Sequence, residues 1–205
     1  MPDVKTNRAW KIATGVLGLV AIAAIVWAVV AMTSNQHGGM ATHGGAMQSE
    51  SAMAMDDQAF IEMMVPHHQM AVDMAKVELA RGTDPQTKAL ATKVIAEQAE
   101  EITQMKAWYK AWYGTDVPEM RMSGDMAMMG MNMDMDALRS TSEPDRMFLT
   151  MMLPHHAGAV IMASNAMTTS QRAQLIALEK KIVASQSAEM GQMQQMRQRL
   201  APPLG

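Results

Sequence analysis

From Phe60 onward, apolar positions recur at spacings of three and four through Met63, His67, Met70, Met74 and Val77. That is one face of an amphipathic helix. Arg81-Gly82 ends the run, glycine suiting the left-handed residue that follows a helix, and Asp84-Pro85 opens the next helix as N-cap and first helical residue. The second seam runs Val94, Gln98, Glu101, Met105, Trp108, Trp112 and stops at Gly114. The pattern then returns at an offset of 88. Residues 57–75 (DQAFIEMMVPHHQMAVDMA) match 145–163 (DRMFLTMMLPHHAGAVIMA) at eleven of nineteen positions, and 93–105 match 181–193 at six of thirteen. Among the latter are Gln98/Gln186, Glu101/Glu189 and Met105/Met193. Two ungapped blocks at one offset indicate duplication of a whole hairpin. Ser142-Glu143-Pro144-Asp145 carries a capping-box pattern that starts the second copy, which ends before Pro202-Pro203. The predicted domain is all-α: a four-helix bundle of two tandem hairpins, 57–114 and 143–205, with an approximate internal twofold.

The hydrophobic pattern upstream differs. Ile12 to Met32 is almost continuously apolar for 21 residues, about 30 Å as a helix and enough to cross a bilayer. Lys5, Arg8 and Lys11 precede it, and no Lys or Arg follows before Lys76. The positive-inside rule therefore leaves residues 1–11 cytoplasmic, makes 12–32 a single-pass anchor, and exports the rest to the periplasmic or extracytoplasmic side. A cleavable signal peptide, cut after Val29-Val30-Ala31, is the competing reading; it also exports the domain. Residues 33–56 lack apolar periodicity and read as a flexible Met/His/Gly tether. Residues 115–142 form a Met-rich linker, in which half of the sixteen residues from Met120 to Met135 are methionine. Its Gly and Asp residues argue against helix.

Composition sharpens this picture. The chain has 27 methionines, many lying where no core forms, and no cysteine. Disulfides, thiolate zinc sites and cysteine nucleophiles are excluded together. The net charge of -3 divides into +2 for residues 1–32 and -5 for the remainder. An acidic domain without a basic stripe is not built for nucleic acid. No nucleophile motif, P-loop or dinucleotide fingerprint is present.

The candidate chemistry sits in Met63-Met64-Val65-Pro66-His67-His68-Gln69-Met70. On a helix His67 lies over Met63 and faces Met70, with Met74 a turn further; His68 points about 100° away, over Met64. In an ideal helix the two imidazoles do not chelate one ion; each shares an ion with a methionine of its own face. Pro66 removes a backbone hydrogen bond, and a kink there would turn the pair. The second copy offers Met151, Met152, His155, His156 and Met162. Thioether and neutral imidazole select Cu(I) and, by the same softness, Ag(I). Glu101 and Glu189, with Gln98 and Gln186, lie on the apolar seam. A buried carboxylate needs a partner, and hydrogen bonding to a ligating histidine would orient its ring. A bundle-stabilising Glu–His pair without metal, and plain core methionines, are the alternatives. Auxiliary soft-metal capture falls to His37, Met40, His43 and Met47 in the tether and to Met126, Met128, Met129, Met131, Met133 and Met135 in the linker.

Phe-x-x-Met-Met-x-Pro-His-His followed by Gln98, Glu101, Ile102 and Met105 resembles the DUF305 family, which includes CopM-like copper-binding proteins. The resemblance covers roughly 57–113 and 145–200 and implies a ferritin-like four-helix bundle that binds copper or silver outside the cytoplasm. It implicates Met63, Met64, His67, His68 and Met70 in the first copy, and Met151, Met152, His155 and His156 in the second. The second copy departs at Gly158, where the first has Met70, and at Met190, where it has Ile102; two unequal sites are expected. The leading expectation is a membrane-anchored Cu(I)/Ag(I) binder for buffering, resistance or transfer, not an enzyme. Metal ions, the membrane, a copper-handling protein and further copies of the chain are its expected partners. A ferritin-like copper oxidase and a metal-free Met-rich interaction module are the alternatives. Di-iron chemistry is disfavoured because no Glu has His three positions later.

Overall fold

The structure, a computed structural model, describes residues 55–119 and 133–201. The expected anchor and tether (1–54) and linker residues 120–132, with His37, Met40, His43, Met47, Met126, Met128, Met129 and Met131, lie outside the described residues. Four long helices and one short one are described: α1 (Asp57–Arg81), α2 (Pro85–Tyr113), α3 (Met135–Ser140), α4 (Pro144–Ala166) and α5 (Ala173–Arg199).

Local sequence explains most helix ends. Asp56 caps α1 by accepting from the Ala59 backbone N–H at 2.8 Å, and Asp84 caps α2 through Thr87 at 2.9 Å, with Pro85 in the first turn. Each such cap contributes about 1 kcal/mol. Gly114 ends α2 in the left-handed region at φ 74°, a conformation that suits glycine. Gly82 does not play that part. Its φ of -61° and ψ of 152° are open to any residue, but a Cβ there would stand 2.0 Å from Oε1 of Glu78. Glycine is required by close approach, not by handedness. The capping box expected at Ser142–Asp145 does not form either. Glu143 is the N-cap of α4 without a side-chain cap hydrogen bond, because Asp145 is directed elsewhere. A short helix also stands within the expected linker, just before the second copy. Asp134 caps α3, whose Leu138 is fully buried.

The core divides into two clusters. The first joins Phe60, Ile61, Met64 and Val65 of α1, Ile102, Met105 and Tyr109 of α2, Ala159, Met162 and Ala166 of α4, and Leu175, Leu178 and Ile182 of α5. The second joins Ala71, Met74 and Ala75 of α1, Leu90, Ala91 and Val94 of α2, Phe148, Leu149, Met151 and Met152 of α4, and Met193 of α5. The N-terminal half of α1 thus shares a cluster with the C-terminal halves of α2 and α4 and the N-terminal half of α5. Helices α1 and α5 run one way, α2 and α4 the other. The chain leaves α2 at one end and re-enters α4 at the opposite end, the single long crossover of a ferritin-like bundle. The two clusters exchange under the offset of 88: Met64, Met105 and Met162 on one side correspond to Met152, Met193 and Met74 on the other. The internal twofold therefore crosses the bundle between them.

The same symmetry holds the copies together. Asp145 accepts from the backbone N–H groups of Thr83 (3.0 Å) and Asp84 (2.8 Å) in the α1–α2 turn. Its counterpart Asp57 accepts from the Gln171 N–H (3.2 Å) and the Arg172 guanidinium (2.6 Å) at the α4–α5 turn. Each copy clamps the other's turn. Among the described residues α4 is long and apolar enough to cross a membrane. It is also a core helix, and Phe148, Leu149, Met151, Met152, Ala159, Met162, Ala163 and Ala166 of α4 pack the two clusters.

Candidate metal centre

Between the clusters lies a polar layer. His67, His68, His155 and His156 are fully buried, and Gln98, Glu101, Gln186 and Glu189 are nearly so. Helix α1 runs unbroken through Pro66, and α4 through Pro154. Adjacent rings on one helix diverge, with centroids 6.3 Å apart in both copies. The close pair forms across the twofold: His67 and His155 stand 3.7 Å apart, tilted by 37°. That is ring contact. With metal–nitrogen bonds of about 2 Å, no ion fits between the faces of these two rings.

The hydrogen bonds fix which nitrogen carries the proton. His155 Nε2 lies 3.0 Å from the carbonyl oxygen of His67. A carbonyl only accepts, so Nε2 donates, and the lone pair of the neutral ring sits on Nδ1. His68 Nε2 donates to Glu101 Oε2 at 2.8 Å, and His156 Nε2 to Glu189 Oε2 at 2.6 Å. The seam carboxylates thus meet the second histidine of each pair. The Nδ1 atoms of His68, His155 and His156 are buried and accept no hydrogen bond. A buried polar atom left so costs about 1–3 kcal/mol, and here it recurs in both copies.

Electrostatics keeps the rings of the second copy neutral. Burial, reinforced by the neighbouring His67, drives the His155 pKa well below that of a free histidine. Burial also lowers His156, against the pull of Glu189. Burial opposes ionisation of Glu189, but hydrogen bonds from His156 and Lys93 outweigh it and hold its pKa below the usual range. Neutral imidazole with a free Nδ1 is the form that ligates metal.

Methionine surrounds this layer, though not as one stripe per helix. Met64, Met74, Met152 and Met162 are buried, as is Met151 at its edge; Met63 packs half-buried on the first cluster and Met70 on the second. The seam Met63–His67–Met70–Met74 is therefore split between the clusters, because these lie at opposite ends of the bundle, with Met63 in the N-terminal half of α1 and Met70 and Met74 beyond the histidine layer. Position 158, where the second copy lacks the counterpart of Met70, is a buried glycine. The expected linker ligands Met133 and Met135 are partly buried against the second cluster. The side-chain amides of Gln98 and Gln186 are buried and make no hydrogen bond to the imidazoles. Among the described residues no three histidine, aspartate or glutamate side chains converge as a site. An ion in this layer would have to draw on thioether sulfur as well as nitrogen, which fits a soft ion and not zinc, calcium or magnesium.

Two sets of residues escape sequence reasoning: Lys93 and Lys181, whose ammonium groups meet Glu189 and Glu101, and the clamps Asp57 and Asp145. Both pairs are identical at the offset of 88, and that identity was the available signal.

A twofold bundle with paired, buried histidines among methionines defines a class of helical proteins with a soft-ligand interior. The chain belongs to the family described as Domain of unknown function (DUF305), whose model matches residues 57–197. It is similar to CopM in the Cu(II)-bound form, at 45% identity over 73% of this chain and 100% of that one, with a TM-score of 0.68. The Cu(I)-bound and silver co-crystallised forms of CopM match at 42% identity each over 72% of this chain, covering 99% and 98% of theirs, with TM-scores of 0.66 and 0.64. A DUF305 fragment from Deinococcus radiodurans matches at 29% identity over 70% of this chain and 96% of its own, with a TM-score of 0.65. The uncharacterized protein L153 of Acanthamoeba polyphaga mimivirus is 42% identical over 53 residues, 26% of this chain and 35% of that protein, so the match spans about a third of its length.

Proposed function

We propose that this protein is a membrane-anchored, extracytoplasmic binder of Cu(I) and Ag(I) that buffers or hands over these ions and does not turn over a substrate. The observation that carries the reading is the recurrence, in both copies, of a buried imidazole, His68 and His156, whose Nε2 donates to a seam carboxylate and whose Nδ1 accepts no hydrogen bond. Buried thioethers of Met64 and Met152 lie in the clusters on either side. The similarity to CopM in copper- and silver-bound forms supports the choice of cargo. His68 and His156 would hold the ion through Nδ1, and the flanking methionines would complete a soft, low-coordinate shell. Residues 12–32 would tether the bundle. The tether and the linker methionines up to Met131 would collect ions weakly before they enter it. Release would fall to a copper-handling protein partner, and self-association would bring tethers of neighbouring chains together.

The test is titration of the full chain with Cu(I) against a competing chelator, paired with the quadruple variant His67→Ala, His68→Ala, His155→Ala, His156→Ala. The reading expects tight binding that the variant loses, and no acceleration of Cu(I) oxidation. Equal binding by both proteins would place the ion elsewhere. Faster oxidation in the presence of wild type would make it an oxidase.

A further inference from the structure

Each buried carboxylate of the polar layer has two partners, drawn from opposite hairpins. Glu101 accepts from His68 of its own hairpin and lies 3.3 Å from Nζ of Lys181 in the other. Glu189 accepts from His156 and, at 2.6 Å, from Lys93 of the first hairpin. The carboxylates are 3% exposed, whereas the two lysine side chains are 48% and 44% exposed. A chain of three groups therefore runs from the surface of one hairpin to an imidazole of the other, twice, under the same twofold. The copies are unequal in one respect: Lys93 also binds Glu97 at 2.7 Å, and the counterpart of Glu97 is Ser185.

We infer that Lys93 and Lys181 are positioning residues for the metal ligands of the opposite hairpin, holding Glu189 and Glu101 so that His156 and His68 keep the proton on Nε2 and present Nδ1. The inference rests on the proposed binding of soft metal. The warrant is geometric. A carboxylate has two oxygens, and the lysine occupies one, which leaves the other aimed at Nε2. The nitrogen of a histidine that ligates is set by the hydrogen bond made by the other nitrogen. Without the ammonium the buried carboxylate loses the contact that fixes its rotation, and the imidazole loses its fixed donor geometry. No other lysine or arginine among the described residues is paired with Glu101 or Glu189. The crossing has a consequence that a purely local role lacks: a change at Lys181 acts on the first hairpin's ring, and a change at Lys93 on the second's.

The experiment is nitrogen-15 NMR of the full chain in detergent micelles, labelled at histidine, first metal-free and then with Ag(I), whose nuclear spin couples to the nitrogen that binds it. Wild type is expected to show Nε2–H on His68 and His156 without metal, and silver coupling on Nδ1 of the same rings. Lys181→Met is expected to disturb Nε2–H of His68 and to lower its silver affinity about tenfold, the lower end for an outer partner of a ligand, while His156 is unchanged. Lys93→Met is expected to do the reverse, and Lys181→Arg and Lys93→Arg to restore the wild-type spectra. Silver coupling on Nε2, or equal effects of either lysine on both rings, would overturn the inference while leaving histidine ligation standing. Silver coupling on no imidazole nitrogen would overturn the ligation reading itself, and the metal-free spectra would still report whether the lysines set the tautomer.

Discussion

At the scale of single residues, the molecule carries two kinds of unusual side chain: the buried histidines and a buried acid in no salt bridge. Glu78 is fully buried, and burial with the adjacent Asp145 carboxylate pushes its pKa up from 4.5 to about 8. The neutral acid is the folded form. Below pH 4.5 it is protonated in both states. As pH rises toward about 8 the unfolded chain ionises and the folded chain does not, so stability falls across that window. Glu78→Gln should abolish this slope, raising the urea midpoint at pH 8 relative to that at pH 5; an unchanged slope would mean that Glu78 is solvated. The methionines permit a separate test. Met64 and Met152 are fully buried, and Met→Leu nearly conserves volume, at a cost below about 1.5 kcal/mol each. Met64→Leu with Met152→Leu should therefore keep the fold and its melting temperature to within a few degrees while weakening Cu(I) binding. Unchanged Cu(I) affinity would make these two methionines packing residues only.

At the scale of elements, the turn at Gly82 shows where pattern reading stops. Glycine after Arg81 ended a helix in either account, but the reason is spatial. The added Cβ of Gly82→Ala would meet Oε1 of Glu78 at 2.0 Å and its backbone carbonyl at 2.7 Å. Overpacking of this kind costs about 1–3 kcal/mol. Chemical denaturation should show that loss, and Glu78→Ala in the same chain should recover the part due to the side chain; no loss in the single variant would place the carboxyl elsewhere. The long helices were legible because three- and four-residue spacing, Asp84-Pro85 and Gly114 are local signals. Asp145 was misread as part of a capping box for the same reason. Its sequence neighbours suggest a cap, but its partners, Thr83 and Asp84, are sixty residues away. The seam through Met63, His67, Met70 and Met74 was likewise drawn as one continuous stripe, whereas the histidine layer divides the core along the length of α1. Met133 and Met135 looked like linker, but both pack on the second core cluster, to which Leu138 of α3 belongs.

At the scale of the whole molecule, the duplication is also the mechanism of assembly. The repeat at offset 88 foretold two hairpins, and the ferritin-like bundle follows. What no single helix could disclose is that the copies interlock: the His67–His155 contact, the Asp57 and Asp145 clamps and the two Lys–Glu pairs all cross between them. One hairpin alone carries half of every such contact. A fragment spanning 55–119 should therefore be unfolded when dilute and form a homodimer as concentration rises. In it Asp57 would clamp Thr83 and Asp84 of the second copy, and Lys93 would meet the second copy's Glu101. Sedimentation with circular dichroism would reveal this, and a folded monomer would contradict it.

The most direct test of the soft-metal interior is an anomalous-scattering map from crystals of the protein grown with Ag(I). The account predicts two peaks within the bundle, related by its internal twofold, each within bonding distance of Nδ1 of His68 or His156 and of a methionine sulfur. Silver found only on surface carboxylates, with the histidine layer empty, would contradict it.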